Sequence, residues 1–332
     1  MASRTLVSAL VLLAFAGVTT TASAGVIRHD VADSLYLSLG ANAKYKSVGQ
    51  VTGTTASTKF FASGTLIGSH WVLTAAHVVD DATSLSFKLG GQTFTASEWV
   101  AFPDWDGDLL AGYDLGLMRF DVDLTAATGV AAAKRYKGTS EFGKTGVSVG
   151  YGMTGTGLTG ATTFDQKKRA GHNKIDAVLM TEGEMNRILL SDFDSGKSAD
   201  NSMGSATPLS REFLIAKGDS GGGLFISVGT KTFLAGVHSF GWAFLDGVLD
   251  SDYGDLSGHS RVSAFNSWID GVIAGLIAMG PSDGSVITNG GPIGAFNGVF
   301  VRPVPEPAGL GMLALGALAS LVALRRRRLR TT

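Results

Sequence analysis

Residues 64–80 read GTLIGSHWVLTAAHVVD. Thr65, Leu66 and Ile67 form one short apolar run, a Gly-Ser pair interrupts it, and Trp71, Val72 and Leu73 resume it. Runs this short, rich in β-branched and aromatic residues and broken by turn formers, predict strands rather than a helix. Ala75 and Ala76 follow as a small-residue turn that presents the imidazole of His77. The same texture continues outward. Apolar runs at 116–120, 147–149, 177–180, 213–215, 223–226 and 233–237 are separated by glycine, serine, aspartate and threonine. Many short strands with frequent turns predict an all-β sandwich or barrel. One helix stands apart: Phe265, Trp268, Ile269, Val272, Ile273, Leu276 and Ile277 recur at helical spacing. Ser263 is its expected N-cap and Gly280-Pro281 its expected stop.

A second stretch, FLIAKGDSGGGLF at 213–225, sets Ser220 between an aspartate and three glycines. Glycine fills 46 of 332 positions, about twice the usual ~7%, so a plain glycine loop is the competing reading. A serine hydroxyl is a poor nucleophile at neutral pH and needs a base, which in turn needs an orienting group. Of the six histidines, at 29, 70, 77, 172, 238 and 259, His77 alone lies in a strongly patterned context. Downstream, AGYDLGLMRF places Asp114 directly before an apolar strand. A carboxylate entering a core is costly unless paired, and an imidazole N–H supplies a partner.

These residues resemble the chymotrypsin-like (trypsin-fold) serine peptidases, the peptidase S1 family. Thr74-Ala75-Ala76-His77 matches the histidine motif, Asp114-Leu115-Gly116-Leu117 the aspartate motif, and Gly218-Asp219-Ser220-Gly221-Gly222 the serine motif. Supporting likenesses are Val149-Gly150-Tyr151-Gly152-Met153-Thr154, Gly236-Val237-His238-Ser239-Phe240-Gly241, and Arg261-Val262 leading into Phe265 and Trp268-Ile269. The resemblance spans about residues 26–278, and the order His, Asp, Ser is that of the chymotrypsin template. It implies two six-stranded antiparallel β-barrels with a C-terminal α-helix, meeting near residues 125–140. It also implies a secreted serine endopeptidase working through an acyl-enzyme. His77, Asp114 and Ser220 would be catalytic, and the amides of Gly218 and Ser220 would form the oxyanion hole. Leu214, Ser239, Phe240 and Gly241 would bind a protein or peptide substrate. Leu214 stands where trypsin-type members carry an acid, which points away from Arg or Lys at P1 and toward apolar or small residues. No metal and no cofactor is implied. Two features depart from the family. Val78 follows His77 where a disulfide often closes the loop, so packing must hold it. The segment Gly25-Val26-Ile27-Arg28-His29 differs from the usual Ile-Val-Gly-Gly that pairs with the aspartate before the nucleophile, here Asp219.

The chain has no cysteine, which excludes disulfides, thiol nucleophiles and Cys-ligated zinc. Residues 25–306 carry 21 basic and 28 acidic side chains, a net of −7, which argues against a nucleic-acid partner. Both termini read as export signals. Arg4, an apolar run at 6–18 broken only by Ser8, and Ala22-Ser23-Ala24 predict a signal peptide at 1–24, cut by signal peptidase. The 17 uncharged residues at 308–324, followed by five arginines, predict a transmembrane helix with the C-terminus cytoplasmic. With Val304-Pro305-Glu306-Pro307 before them they resemble the PEP-CTERM sorting signal of Gram-negative bacteria. That implies an exosortase-type sorting peptidase, transient anchoring in the inner membrane, and a final place in the cell envelope or outside the cell. The expected organisation is a signal at 1–24, a peptidase domain at 25–279, a Gly/Pro-rich linker at 280–303 and a sorting segment at 304–332.

Other patterns carry less. Gly150-Tyr151-Gly152-Met153-Thr154-Gly155 matches G-x-G-x-x-G, yet a loop follows it rather than the helix a dinucleotide site needs. Asp104, Asp106 and Asp108 begin like a calcium loop but lack its glycine and glutamate, so they read as a solvated acidic loop, as do Asp250, Asp252 and Asp255. Two other functions remain open on sequence: a non-catalytic surface or matrix binding protein on a protease scaffold, and an esterase using the same triad.

Overall fold

The computed structural model describes residues 25–181 and 185–277. The signal at 1–24, the linker at 280–303, the sorting segment with its helix at 308–324, and the Gly280-Pro281 stop lie outside the described residues. No helix among the described residues is long and apolar enough to cross a membrane.

Two seven-stranded antiparallel sheets carry the structure. The first runs Gln92–Thr95, Ser84–Leu89, Val48–Thr54, Lys59–Gly68, Trp71–Thr74, Gly116–Arg119 and Glu98–Ala101 in spatial order. The second runs Arg169–Lys174, Thr145–Gly150, Gly223–Val228, Lys231–Trp242, Leu256–Arg261, Met185–Asp192 and Ala177–Thr181. Each has one strand more than the six expected, with a short piece such as Gln92–Thr95 at its edge. Alternation decides which face is buried. In Ser84–Leu89, Leu85, Phe87 and Leu89 turn inward while Ser84 and Lys88 face solvent, as a period of two requires.

A small third sheet was not anticipated. Gly25–Ile27 lies between Thr154–Thr156, its parallel neighbour, and Phe213–Leu214, its antiparallel one. Val26 is fully buried there against Phe193, Leu214 and Tyr253.

The chain leaves the first sheet at Arg119 and enters the second at Thr145. The connection is stitched to both: Ala133 N donates to Leu66 O, and Tyr136 N to Leu234 O. One continuous core spans the two halves, joining Leu66, Leu73 and Phe87 of the first to Phe225, Leu234 and Val237 of the second. The C-terminal helix, Asn266–Ile273, adds Trp268, Ile269 and Val272 to that core. Two details of its ends differ from expectation. Ser263 is not the N-cap, because its hydroxyl donates to Glu141 Oε1 at 2.8 Å, inside the buried Glu141–Arg261 ion pair. The helix also ends earlier, where Gly275 takes φ +71°, a left-handed conformation that glycine adopts without a Cβ penalty.

Candidate active site

The strand Trp71–Thr74 delivers Ala75 and Ala76, both fully buried, and the short helix Ala76–Val79 carries His77. The neighbouring strand comes so close that position 116 must be glycine: a Cβ there would lie 2.7 Å from Val79 Cγ2 and 2.9 Å from Ala75 O. Asp114, just before that strand, is fully buried. Its Oδ1 accepts the His77 backbone N–H at 2.9 Å, and its Oδ2 lies 2.8 Å from His77 Nδ1. One carboxylate therefore fixes both the main chain and the ring of His77. The Ser239 hydroxyl donates to the same Oδ2, and Ser260 Oγ donates to Asp114 O at 2.6 Å.

A carboxylate at Nδ1 holds the proton there and leaves Nε2 as the basic atom. Nδ1 faces buried Asp114, so the exposed 32% of the His77 side chain lies toward the other edge of the ring. Burial acts to lower the imidazole pKa, but the hydrogen bond and charge of Asp114 outweigh it, and the net direction is up. Trp105, whose Nε1 donates to Asp80 Oδ2 at 3.0 Å, places its ring 6.5 Å from that of His77.

Ser220 sits in the turn between Phe213–Leu214 and Gly223–Val228. Backbone geometry builds this half. Gly218 has φ +96° and Gly221 φ +81°, both left-handed. A Cβ on Gly221 would fall 2.0 Å from Thr74 Oγ1 and 2.2 Å from Ser63 O, so only glycine lets the turn approach the first sheet. Gly222 N donates to Asp219 O at 2.7 Å and Gly221 N to His238 O at 2.8 Å. The amides of Gly218 and Ser220 donate to no protein acceptor among the described residues, so they remain available to an incoming oxygen.

Asp219 is fully buried inside the turn. Its Oδ1 accepts Gly152 N at 2.8 Å and its Oδ2 accepts Ala216 N at 2.9 Å. Desolvation pushes its carboxyl up to about 7 despite these two donors. Ser63, on the first sheet, ties the turn across the interface. Its N–H donates to Ser220 O at 2.8 Å, and its hydroxyl donates to Gly218 O at 3.0 Å and accepts Tyr151 N at 2.9 Å.

A cavity of about 610 Å³ opens beside the turn, lined by Ile215, Ala216, Lys217, Ser239, Phe240 and Gly241 together with Met153, Leu249 and Asp250. Ser239, Phe240 and Gly241 thus stand together on one wall of this cavity. Leu214 is not on that wall. It pairs with Val26 and is buried with Phe193 and Tyr253, so its neighbours Ile215 and Ala216 face the cavity instead. The mismatch follows from the third sheet, which takes Phe213–Leu214 as a strand. Phe240 is mostly buried, its ring packed over Gly258. Sequence reasoning missed the hydroxyls of Ser63, Ser239 and Ser260, because each acts through a residue far away in the chain. Among the described residues one group of ligand-type side chains converges: carboxylate oxygens of Asp250, Asp252 and Asp255 lie within 4.8 Å of one another.

A Trypsin family model matches residues 39–269. HL collagenase superposes with TM-score 0.51 at 19% identity, covering 69% of this chain and 94% of that one. Mouse brain neuropsin, a serine protease, superposes with TM-score 0.51 at 18% identity, covering 70% and 97%. At such identities the superpositions establish the shared fold, two β-sheet halves and a short C-terminal helix, while the family match covers more than half of the sequence. The chain belongs to the trypsin family and is a serine endopeptidase.

Proposed function

We propose that Ser220, His77 and Asp114 are the catalytic triad of this endopeptidase, and that the protein is exported to act on protein substrates outside the cytoplasm. The observation that carries the assignment is the grip of buried Asp114 on both the ring and the backbone of His77. His77 Nε2 takes the proton of Ser220 Oγ as that oxygen attacks the scissile carbonyl. The carbonyl oxygen, now an anion, accepts the amides of Gly218 and Ser220, and one such donor is worth ~3 kcal/mol in the transition state. Collapse releases the amine, which takes the proton from His77 and leaves an acyl-Ser220 ester. Water, deprotonated by His77, then hydrolyses the ester. Asp114 keeps Nδ1 protonated and stabilises the imidazolium throughout. Ser239 and Gly241 on the cavity wall offer backbone groups for pairing with an extended peptide.

Specificity for apolar or small P1 residues is supported by Ile215, Ala216, Phe240 and Leu249 on the cavity wall, with Lys217 and Asp250 adding one charge of each sign. Export rests on the sequence of the two ends: a signal at 1–24, and a sorting segment at 304–332 of PEP-CTERM type, which directs the chain to the envelope or exterior of a Gram-negative bacterium.

The test is digestion of a denatured proteome by the 25–306 protein and by its Ser220→Ala variant, with the new peptide termini sequenced by mass spectrometry. Cuts made only with Ser220 present, at apolar or small P1 residues, are the expected result. A folded protein with an authentic N-terminus that makes no Ser220-dependent cut would transfer the assignment to a binding scaffold, and Ser220-dependent ester hydrolysis without peptide cuts would transfer it to an esterase.

A further inference from the structure

A second cavity, of about 500 Å³, lies between the entry to the first sheet and the hairpin of the second, and shares no lining residue with the cavity beside Ser220. Four lysines line it: Lys44 and Lys46 from the segment before Val48–Thr54, Lys134 from the connection between the sheets, and Lys231 from the hairpin. No acidic side chain lines it. None of the four ammonium groups has an ion-pair partner among the described residues. Residues 25–306 carry a net charge of −7, so four unpaired cations around one hollow run against the composition of the chain. Like charges gathered this way repel one another and weaken the fold unless something of opposite sign shares the space.

A fifth cation reaches the segment that carries Lys44 and Lys46: Lys168 Nζ donates to Tyr45 O at 3.1 Å and Val48 O at 3.0 Å. Burial, and then the charge of Lys46, lower the Lys168 ammonium to about 8, so positive potential is felt even there. A further cavity of about 690 Å³ shares Ala132, Ala133 and Lys134 with the first and continues to Lys137.

We propose that this trough is an anion-binding site that takes tetrahedral oxyanion groups, sulfate or phosphate, with Lys44, Lys46, Lys134 and Lys231 supplying the charge. The space exceeds what one such ion needs, which favours groups carried along a polymer over the free ion. The site holds the peptidase on an acidic matrix while leaving the cleft beside Ser220 open.

The full chain is titrated at about 0.15 M ionic strength, where long-range surface effects are screened, with inorganic sulfate, inorganic phosphate, sulfated dextran and unsulfated dextran. Sulfated dextran binds and the unsulfated polymer does not. Exchanging the four lysines for glutamine weakens binding at least about tenfold and flattens its salt dependence, because fewer counterions are released. Saturation by inorganic sulfate or phosphate at the same affinity identifies a free ion as the occupant, whereas tight binding of the polymer alone identifies a chain. The proposal is overturned if the wild-type chain binds sulfated and unsulfated dextran alike, or if the four-lysine variant, folded and still cutting peptides, binds as well as the wild type.

Discussion

Two buried aspartates, Asp114 and Asp219, stand on opposite sides of the active site, both fully shielded from solvent. Asp114 receives an imidazole, a backbone amide and the hydroxyl of Ser239. Asp219 receives two backbone amides, from Gly152 and Ala216, with Arg169 acting on it through space. The contrast separates two ways of making half a catalytic site. The histidine half is built from side chains, so its chemistry depends on which groups are present. The serine half is built from main chain held at glycine-only angles, so it depends on which groups are missing.

The largest effect that tests this contrast is on the side-chain half. Asp114→Asn keeps the shape but reverses the favoured proton position on His77, and kcat falls about 10⁴-fold, the scale for losing the orienting carboxylate of such a triad. If peptide hydrolysis falls less than about tenfold, on the logic that small losses mark peripheral groups, Asp114 does not orient His77. The next is on the main-chain half. Gly221→Ala drives a Cβ into Thr74 and Ser63 at a left-handed φ, costing ~3 kcal/mol of overpacking and strain. Activity and melting temperature fall together, unlike in Asp114→Asn, and an unchanged melting curve would contradict the close approach of the two sheets. Ser239→Ala removes one charge-assisted donor from Asp114, and kcat/KM drops by ~10-fold. An unchanged value would mean that the imidazole and amide suffice.

The smallest effect is in pH. Asp219 titrates near 7 when folded, well above an unfolded aspartate near 3.9. At this group the folded state therefore binds more protons between those values, and its contribution to stability falls as pH rises from about 4 to about 7, then levels. His77, raised in the fold, acts in the same direction: its contribution is full below its unfolded pKa and is lost as pH rises through the folded one. Activity needs neutral His77, so kcat/KM climbs with pH through a limb displaced above the ordinary imidazole value. Through Asp219 and His77 the urea midpoint falls with pH while kcat/KM climbs, and the buried His238 and His259, held below the ordinary imidazole value by desolvation, oppose that fall at the acid end. A shallower stability slope in Asp219→Asn assigns one proton of that slope to this group. An identical slope removes Asp219 from the account and leaves it to the other raised carboxyls, Asp176, Asp194, Glu212 and Asp255.

The apolar runs around 72, 117, 148, 178, 224 and 235 all fall within observed strands, because a core-facing strand must carry its apolar residues in its own sequence. His77 and Asp114, 37 positions apart, were each marked by a local motif, and their side chains lie 2.8 Å apart. Strands such as Arg169–Lys174, with sequence RAGHNK, and Leu256–Arg261, with LSGHSR, were not legible. Their interiors are polar and are satisfied by distant partners: Arg169, fully buried, meets Asp33 from 136 positions away. Leu214 was assigned to the cleft by its offset from Ser220, but the pairing of Phe213–Leu214 with Gly25–Ile27 is a long-range event that no local pattern encodes.

Ser63 holds the carbonyls of Ser220 and Gly218 from the opposite sheet. The nucleophile turn is therefore held from both halves, by Asp219 and the amides of Gly221 and Gly222 within its own and by Ser63 from the other. Parting the sheets would take the Ser63 contacts from the turn while leaving each sheet's own ladder in place. In rising denaturant, proteolysis will stop before circular dichroism registers any loss of structure, which makes catalysis itself a gauge of how tightly the halves are closed.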